Sequence, residues 1–202
     1  MPRTGDGVCA ACAKNLPFVE DGNILRKIGK YTCAATFRYE GIVRDGIHAL
    51  KFHGRESRAA QFAPYLAQTV AEYLSGEFDT VTYVPISLQR RWKRGYDQSR
   101  LLAKAVAAIW GKQAVRTLRK VRNTPPQSHI KDPEQRRANV RNAYRPLSPE
   151  SIRGKRFLLI DDVVTSGATL MACADELLAA GAESVVCAAL AGSVPGDGKN
   201  AD

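Results

Sequence analysis

The chain has 202 residues, 45% of them hydrophobic and 25% charged, a globular balance that excludes disordered and fibrous proteins and allows one main core with a small appendage. No stretch approaches the roughly 18 uninterrupted apolar residues of a membrane span, and residues 1–7 carry no apolar signal core, so a cytoplasmic chain with no anchor is expected. The formal net charge of +10 is unevenly placed: residues 90–145 hold 16 Lys and Arg against Asp97, Asp132 and Glu134, a local net of +13. Such a segment attracts polyanions, whether pyrophosphate, nucleotides or a nucleic-acid backbone, although a charge run is also the ordinary look of a solvated face.

In chain order, residues 1–33 contain Cys9-Ala10-Ala11-Cys12 and few apolar runs, and read as a small irregular N-terminal appendage. Five cysteines without export signals point to reduced thiols. The main domain is expected over 34–195. A strand is predicted at 34–39, then a helix carrying Val43, Ile47, Leu50 and Phe52, then a second helix over 57–74 stopped by Gly76. Thr80 to Val84 reads as a short strand ended by Pro85, residues 95–110 as an amphipathic helix, and 114–118 as a further strand. Residues 123–133 carry three prolines and no apolar period, which makes a loop, with a short helix over 134–140 beyond it.

Phe157-Leu158-Leu159-Ile160 is the continuous apolar run of a strand buried on both faces. A helix over 168–180 ends at Gly181, a strand follows over 184–190, and residues 196–202 read as a frayed tail. Cys173 and Cys187 lie in these apolar runs and read as small core residues. Strands alternating with helices predict an α/β fold, a mostly parallel Rossmann-like sheet with helices on both faces and ligands at the carboxyl ends of the strands.

The strand at 157–160 delivers two adjacent carboxylates, Asp161 and Asp162, where an uncompensated charge is costly. Thr165-Ser166-Gly167-Ala168-Thr169 follows, and a helix begins. Exposed amides and the helix dipole make such a turn a phosphate cradle, while the acids can accept hydrogen bonds from ribose hydroxyls. There is no lysine after the glycine, as a Walker loop needs, and no GxGxxG. An Asp-capped helix would account for one of these residues, not for the whole string.

This string resembles the phosphoribosyl pyrophosphate (PRPP) signature of the type I phosphoribosyltransferases. The resemblance implies that Asp161 and Asp162 hold the ribose hydroxyls, that Thr165, Ser166, Gly167, Ala168 and Thr169 bind the 5-phosphate, and that Mg²⁺ rides on the pyrophosphate near the two acids. Further segments are similar to the competence protein F (ComF) family: Phe37-Arg38-Tyr39-Glu40-Gly41, Ile47 to Gly54, Val84-Pro85-Ile86-Ser87, Arg94-Gly95-Tyr96-Asp97-Gln98, Thr124-Pro125-Pro126-Gln127 and Arg137-Ala138-Asn139-Val140. That family implies a pyrophosphate loop at Pro85, Ile86, Ser87, Arg94 and Gly95, with Arg94 the main pyrophosphate ligand. Position 97, usually Asn in the family, is Asp here and adds a negative charge beside the proposed anion site.

The same resemblance makes residues 124–139 a loop that closes over PRPP, with Gln127 and Arg137 as candidate catalytic residues beside Asp161 and Asp162. His129 lies on this loop, while His48 and His53 are read as surface or packing residues. Relatives commonly begin with a zinc ribbon; Cys9, Cys12 and Cys33 make an incomplete set, and zinc is not expected. The implied role is an accessory of DNA uptake that binds single-stranded DNA, alongside other DNA-uptake proteins. Arg90, Arg91, Lys93, Arg119, Lys120 and Arg122 are its candidate contacts, with Trp92, Tyr96 and Tyr144 as stacking aromatics. The alternatives are a catalytic phosphoribosyltransferase with an unidentified acceptor and a regulator that binds PRPP without turnover.

Overall fold

A computed structural model describes residues 14–125, 130 and 132–193. Cys9, Cys12, Gln127 and His129 lie outside the described residues. The elements are β1 (Leu25–Ile28), β2 (Tyr31–Arg38), α1 (Gly41–Phe52), α2 (Ser57–Tyr73), β3 (Thr80–Tyr83), α3 (Leu88–Arg94) and α4 (Gln98–Ile109). They continue with β4 (Leu118–Lys120), α5 (Pro133–Val140), β5 (Tyr144–Pro146), β6 (Arg156–Val164), α6 (Ala168–Ala179) and β7 (Ser184–Gly192).

Five strands form one sheet in the order β1-β2-β7-β6-β3. β2, β7, β6 and β3 are mutually parallel, with Leu159 opposite Cys187 and Tyr83 opposite Ile160; β1 is the antiparallel edge. The near-continuous apolar runs of β6 and β7 are what a parallel sheet covered on both faces selects. On one face α1, α2 and α4 bring Ile47, Leu66 and Val106 against Leu158, Ile160 and Ala188. On the other, α6 brings Leu170, Cys173 and Leu177 against Phe157, Leu159 and Cys187, with Tyr144 of β5 beside them. The α/β expectation, helices on both faces included, is met.

Several sequence expectations change in detail. The boundary expected at 33/34 falls inside β2, because Leu25–Ile28 folds back on Tyr31 to Ala34 and joins the main sheet. A four-residue strand after polar residues gives too short an alternation to be seen in sequence. Cys33 is fully buried in β2 opposite Cys187, and burial pushes its thiol up to about 12. The thiolate that zinc requires is therefore disfavoured there. Among the described residues no group of three or more His, Cys, Asp or Glu is placed to hold a metal ion, and no helix is long and apolar enough to cross a membrane.

The helix expected over 95–110 is α4, Gln98–Ile109; the additional helix α3 precedes it and ends where Gly95 takes a left-handed φ of 83°. The strand expected over 114–118 shrinks to a single bridge at Ala114, and β4 starts only at Leu118.

Phe37 is fully buried at the centre of an aromatic group, 4.8 Å from Phe18, 5.6 Å from Tyr65 and 6.3 Å from Phe62 between ring centroids. Phe37→Ala is expected to cost about 3–5 kcal/mol of unfolding free energy in a denaturant titration, because the cavity left behind cannot close. A loss below about 1 kcal/mol would show that this group does not anchor β2.

Candidate functional site

β6 does not stop at Ile160 but runs on to Val164, so Asp161 and Asp162 sit inside the strand and are 8% and 4% exposed. Their charges are offset by neighbours from the helices above the sheet. Ser99 Oγ at the start of α4 donates to Asp161 Oδ1 at 3.0 Å, and the Asp162 amide donates to the same oxygen at 2.9 Å. Lys51 Nζ in the last turn of α1 lies 3.1 Å from Asp162 Oδ2, an ion pair whose geometry is not that of a hydrogen bond, so this buried oxygen keeps an open acceptor. Burial first, and the Asp162 charge second, push the Asp161 carboxyl up to about 7.

Immediately after β6 the chain turns through Thr165 and Ser166 to Gly167, which has φ 73° and opens α6. A Cβ at Gly167 would lie 2.6 Å from Ile28 Cγ2, so the β1 edge packs directly beneath this turn. The backbone N–H groups of Thr165, Ser166 and Gly167 donate to no described residue, while Ala168 N reaches Ser166 Oγ at 3.5 Å. Thr165, Ser166 and Gly167, with these open amides at a helix N-terminus, line one cleft of about 580 Å³ together with Asp161 and Asp162.

That cleft lies at the carboxyl ends of β3 and β6, where the helices that follow depart to opposite faces, the switch point at which such sheets bind ligands. Asp161, Asp162, Thr165, Ser166, Gly167, Ala168 and Thr169 all line it, as do Pro85, Ile86 and Arg94. Ser87 and Gly95 do not: Ser87 Oγ accepts from Arg90 N and donates to Asn123 Oδ1, and Gly95 closes α3. Arg94 Nη1 donates to Gln98 Oε1 at 2.9 Å and its guanidinium stacks 4.8 Å from the Phe52 ring.

Asp97 is buried and faces away from the cleft. Its Oδ1 caps α4 by accepting from Arg100 N, and its Oδ2 accepts from Ile86 N, both at 3.1 Å. Its charge therefore holds the Pro85-Ile86 turn in place and does not compete for the cleft directly.

The basic residues divide unlike the sequence expectation. Arg90 and Lys120, expected on a DNA face, line the cleft; Arg90 Nη2 donates to Thr124 O at 2.5 Å, and Lys120 sits 5.2 Å from the Tyr144 ring centroid. Burial, then the nearby Arg90 charge, lowers the Lys120 ammonium to about 8. Arg91, Lys93, Arg119 and Arg122 are exposed, with Arg122 Nη1 bonded to Arg141 O. Arg137 is exposed and outside the cleft lining, whereas its neighbour Arg136 lines it.

Of the three stacking candidates only Trp92 is accessible, at 84%; Tyr96 is buried with its hydroxyl bonded to Leu50 O, and Tyr144 is buried beside α6. Lys51, Ser99, Arg136 and Tyr144 enter the site through tertiary packing alone. His48, expected to serve only packing or surface, lines the cleft with its ring 4.7 Å from that of Phe52 and tilted 47° to it.

A parallel α/β sheet that gathers paired acids, open amides and cations at one switch point defines an anion-receptive α/β domain. The chain belongs to the phosphoribosyl transferase domain family, whose model matches residues 45–201. It is 36% identical over 147 residues to the DNA utilization protein YhgH of Salmonella typhimurium, covering 69% of this chain and 62% of that protein. The chain thus spans a little under two thirds of that relative's length. It is 24% identical over 180 residues to competence protein ComFC of Bacillus subtilis, covering 89% of this chain and 70% of that one. A solved glutamine PRPP amidotransferase of B. subtilis matches 71% of this chain and 30% of its own, at 22% identity and a TM-score of 0.47.

Because the folded Asp161 carboxyl binds its proton more tightly than the unfolded one, ionising it costs stability as pH rises from the ordinary carboxylate range through about 7. Asp161→Asn removes that cost while keeping the oxygen that accepts from Ser99 and Asp162. It is expected to raise Tm at pH 8, with the gain shrinking toward pH 4; a difference independent of pH would contradict the assigned burial.

Proposed function

We propose that the cleft binds PRPP, with Asp161 and Asp162 taking the ribose hydroxyls and the turn from Thr165 to Thr169 taking the 5-phosphate. The observation that carries this reading is the set of open amides at Thr165, Ser166 and Gly167 lining the same cleft as Asp161 and Asp162. Arg94, Lys120, Arg90 and Arg136 supply cations for the pyrophosphate, and Pro85 and Ile86 supply the turn beneath it.

Mg²⁺ fits this donor set. Asp162 Oδ2 is a buried carboxylate oxygen with no hydrogen bond, and burial, then the Asp162 charge, push the Asp161 carboxyl beside it upward. Two carboxylates are too few for a closed cage, which suits an ion that takes most of its oxygens from phosphate and water. When bound, the ion neutralises pyrophosphate charge; Lys51 and Ser99 keep the acids oriented in either case.

The larger role we infer is that of a cytoplasmic accessory of DNA uptake, supported by relatives named for DNA utilization and competence. Arg91, Lys93, Arg119 and Arg122, with exposed Trp92 between the first two, form the candidate face for single-stranded DNA. The second reading is a catalytic phosphoribosyltransferase. Lys120 favours it, since an ammonium lowered to about 8 inside the cleft exchanges protons near neutral pH.

Calorimetry with PRPP and Mg²⁺ is expected to show saturable binding that Asp161→Ala/Asp162→Ala weakens at least about 100-fold, from the loss of several charge-assisted hydrogen bonds. Unchanged affinity in the folded variant overturns the assignment. Intact PRPP recovered after mixing with candidate acceptors supports binding alone; released pyrophosphate moves the chain to the catalytic reading.

For DNA, fluorescence anisotropy with a labelled oligonucleotide should give an affinity that falls with salt. Arg91→Ala/Lys93→Ala should flatten that salt slope by about 1 to 2. An unaltered slope rules out this face.

A further inference from the structure

On the reverse of the Pro85-Ile86 turn lies a second hollow, of about 340 Å³, that the PRPP reading leaves unused. Four cations from three parts of the chain line it: Arg91 on α3, Arg100 and Lys104 on α4, and Arg116 between Ala114 and β4. None of these four side chains makes an ion pair or hydrogen bond with a described residue.

The one acid in the lining, Asp97, is already engaged by the amides of Ile86 and Arg100. Its charge offsets one cation of the four. Tyr83 also lines the hollow, and burial raises the pKa of its hydroxyl, which stays protonated. Tyr83, Pro85 and Ile86 supply walls of low polarizability that concentrate the field of the cations.

We propose that this hollow is a second anion site, separate from the cleft, for a di- or triphosphate chain, either inorganic or carried on a nucleotide. The guanidinium groups of Arg91, Arg100 and Arg116 are suited to paired hydrogen bonds with phosphate oxygens, and Lys104 adds a point charge. A single phosphate, carrying about −1.5 to −2 at neutral pH, would leave part of this charge unmatched, whereas two or three linked phosphates carry enough to neutralise it. The volume admits such a chain and lies at the small end of ligand sites. Pro85 and Ile86 line both cavities, so the new site and the cleft share one turn while using different cations.

The test is calorimetric titration of the full chain with inorganic triphosphate and, in a separate arm, ATP, at constant ionic strength. A Thr165→Glu background, which places a carboxylate in the phosphate turn, removes anion binding to the cleft. In that background saturable binding is expected to persist, and Arg100→Gln/Arg116→Gln to weaken it by about tenfold or more. Lys104→Gln alone should weaken it by about two- to fivefold, which keeps the test valid if the double variant fails to fold.

Equal binding of the two probes marks the phosphate chain as the ligand, and tighter binding of ATP marks a nucleotide; both support the site. The proposal is overturned if Thr165→Glu alone abolishes binding, since the anion then belongs to the cleft and the PRPP reading stands by itself. It is also overturned if neither probe binds while an oligonucleotide does.

Discussion

Two adjacent carboxylates buried in the central strand set the terms for the whole structure. Asp161 and Asp162 would be expensive where they lie, and the surrounding elements are arranged to meet that cost. α4 begins where Ser99 can donate to Asp161, and α1 ends where Lys51 reaches Asp162. The compensation is incomplete, with one carboxylate oxygen still open and the Asp161 carboxyl pushed upward by burial and the Asp162 charge. A site in this state gains most from a ligand that brings hydroxyl donors or a cation.

The supports of the cleft come from places that have no chemistry of their own. Asp97 ties the first turn of α4 to the Ile86 amide, so one buried carboxylate fixes the loop after β3. The β1 edge presses Ile28 against Gly167, which leaves room for no side chain there and keeps the turn before α6 tight. An N-terminal segment that reads as an appendage is in this way a support beneath the turn of the site. Arg90, bonded to Thr124, similarly ties α3 to the segment leading toward α5.

What was legible in the sequence is what is contiguous in it. The string from Asp161 to Thr169 carries acids, hydroxyls, glycine and helix start within nine residues, so its chemistry could be read without knowing the fold. β6 and β7 were visible because burial on both faces leaves a continuous apolar run. Lys51, Ser99, Arg136 and Tyr144 were not, because each reaches the cleft only through packing between distant segments. The basic run between 90 and 145 was read as one face, yet Arg90 and Lys120 turn inward while Arg91 and Arg119 turn out, a split that depends on helix and strand phase. The same phase buries Tyr96 and Tyr144 and leaves Trp92 exposed.

The most direct measurement is a crystal structure of the chain with PRPP and Mg²⁺. The account predicts the 5-phosphate against the amides of Thr165, Ser166 and Gly167, the ribose hydroxyls on Asp161 and Asp162, and the pyrophosphate toward Arg94 and Lys120. Phosphate density confined to the Arg100 and Arg116 hollow, with the Thr165 to Thr169 turn bare, would contradict it.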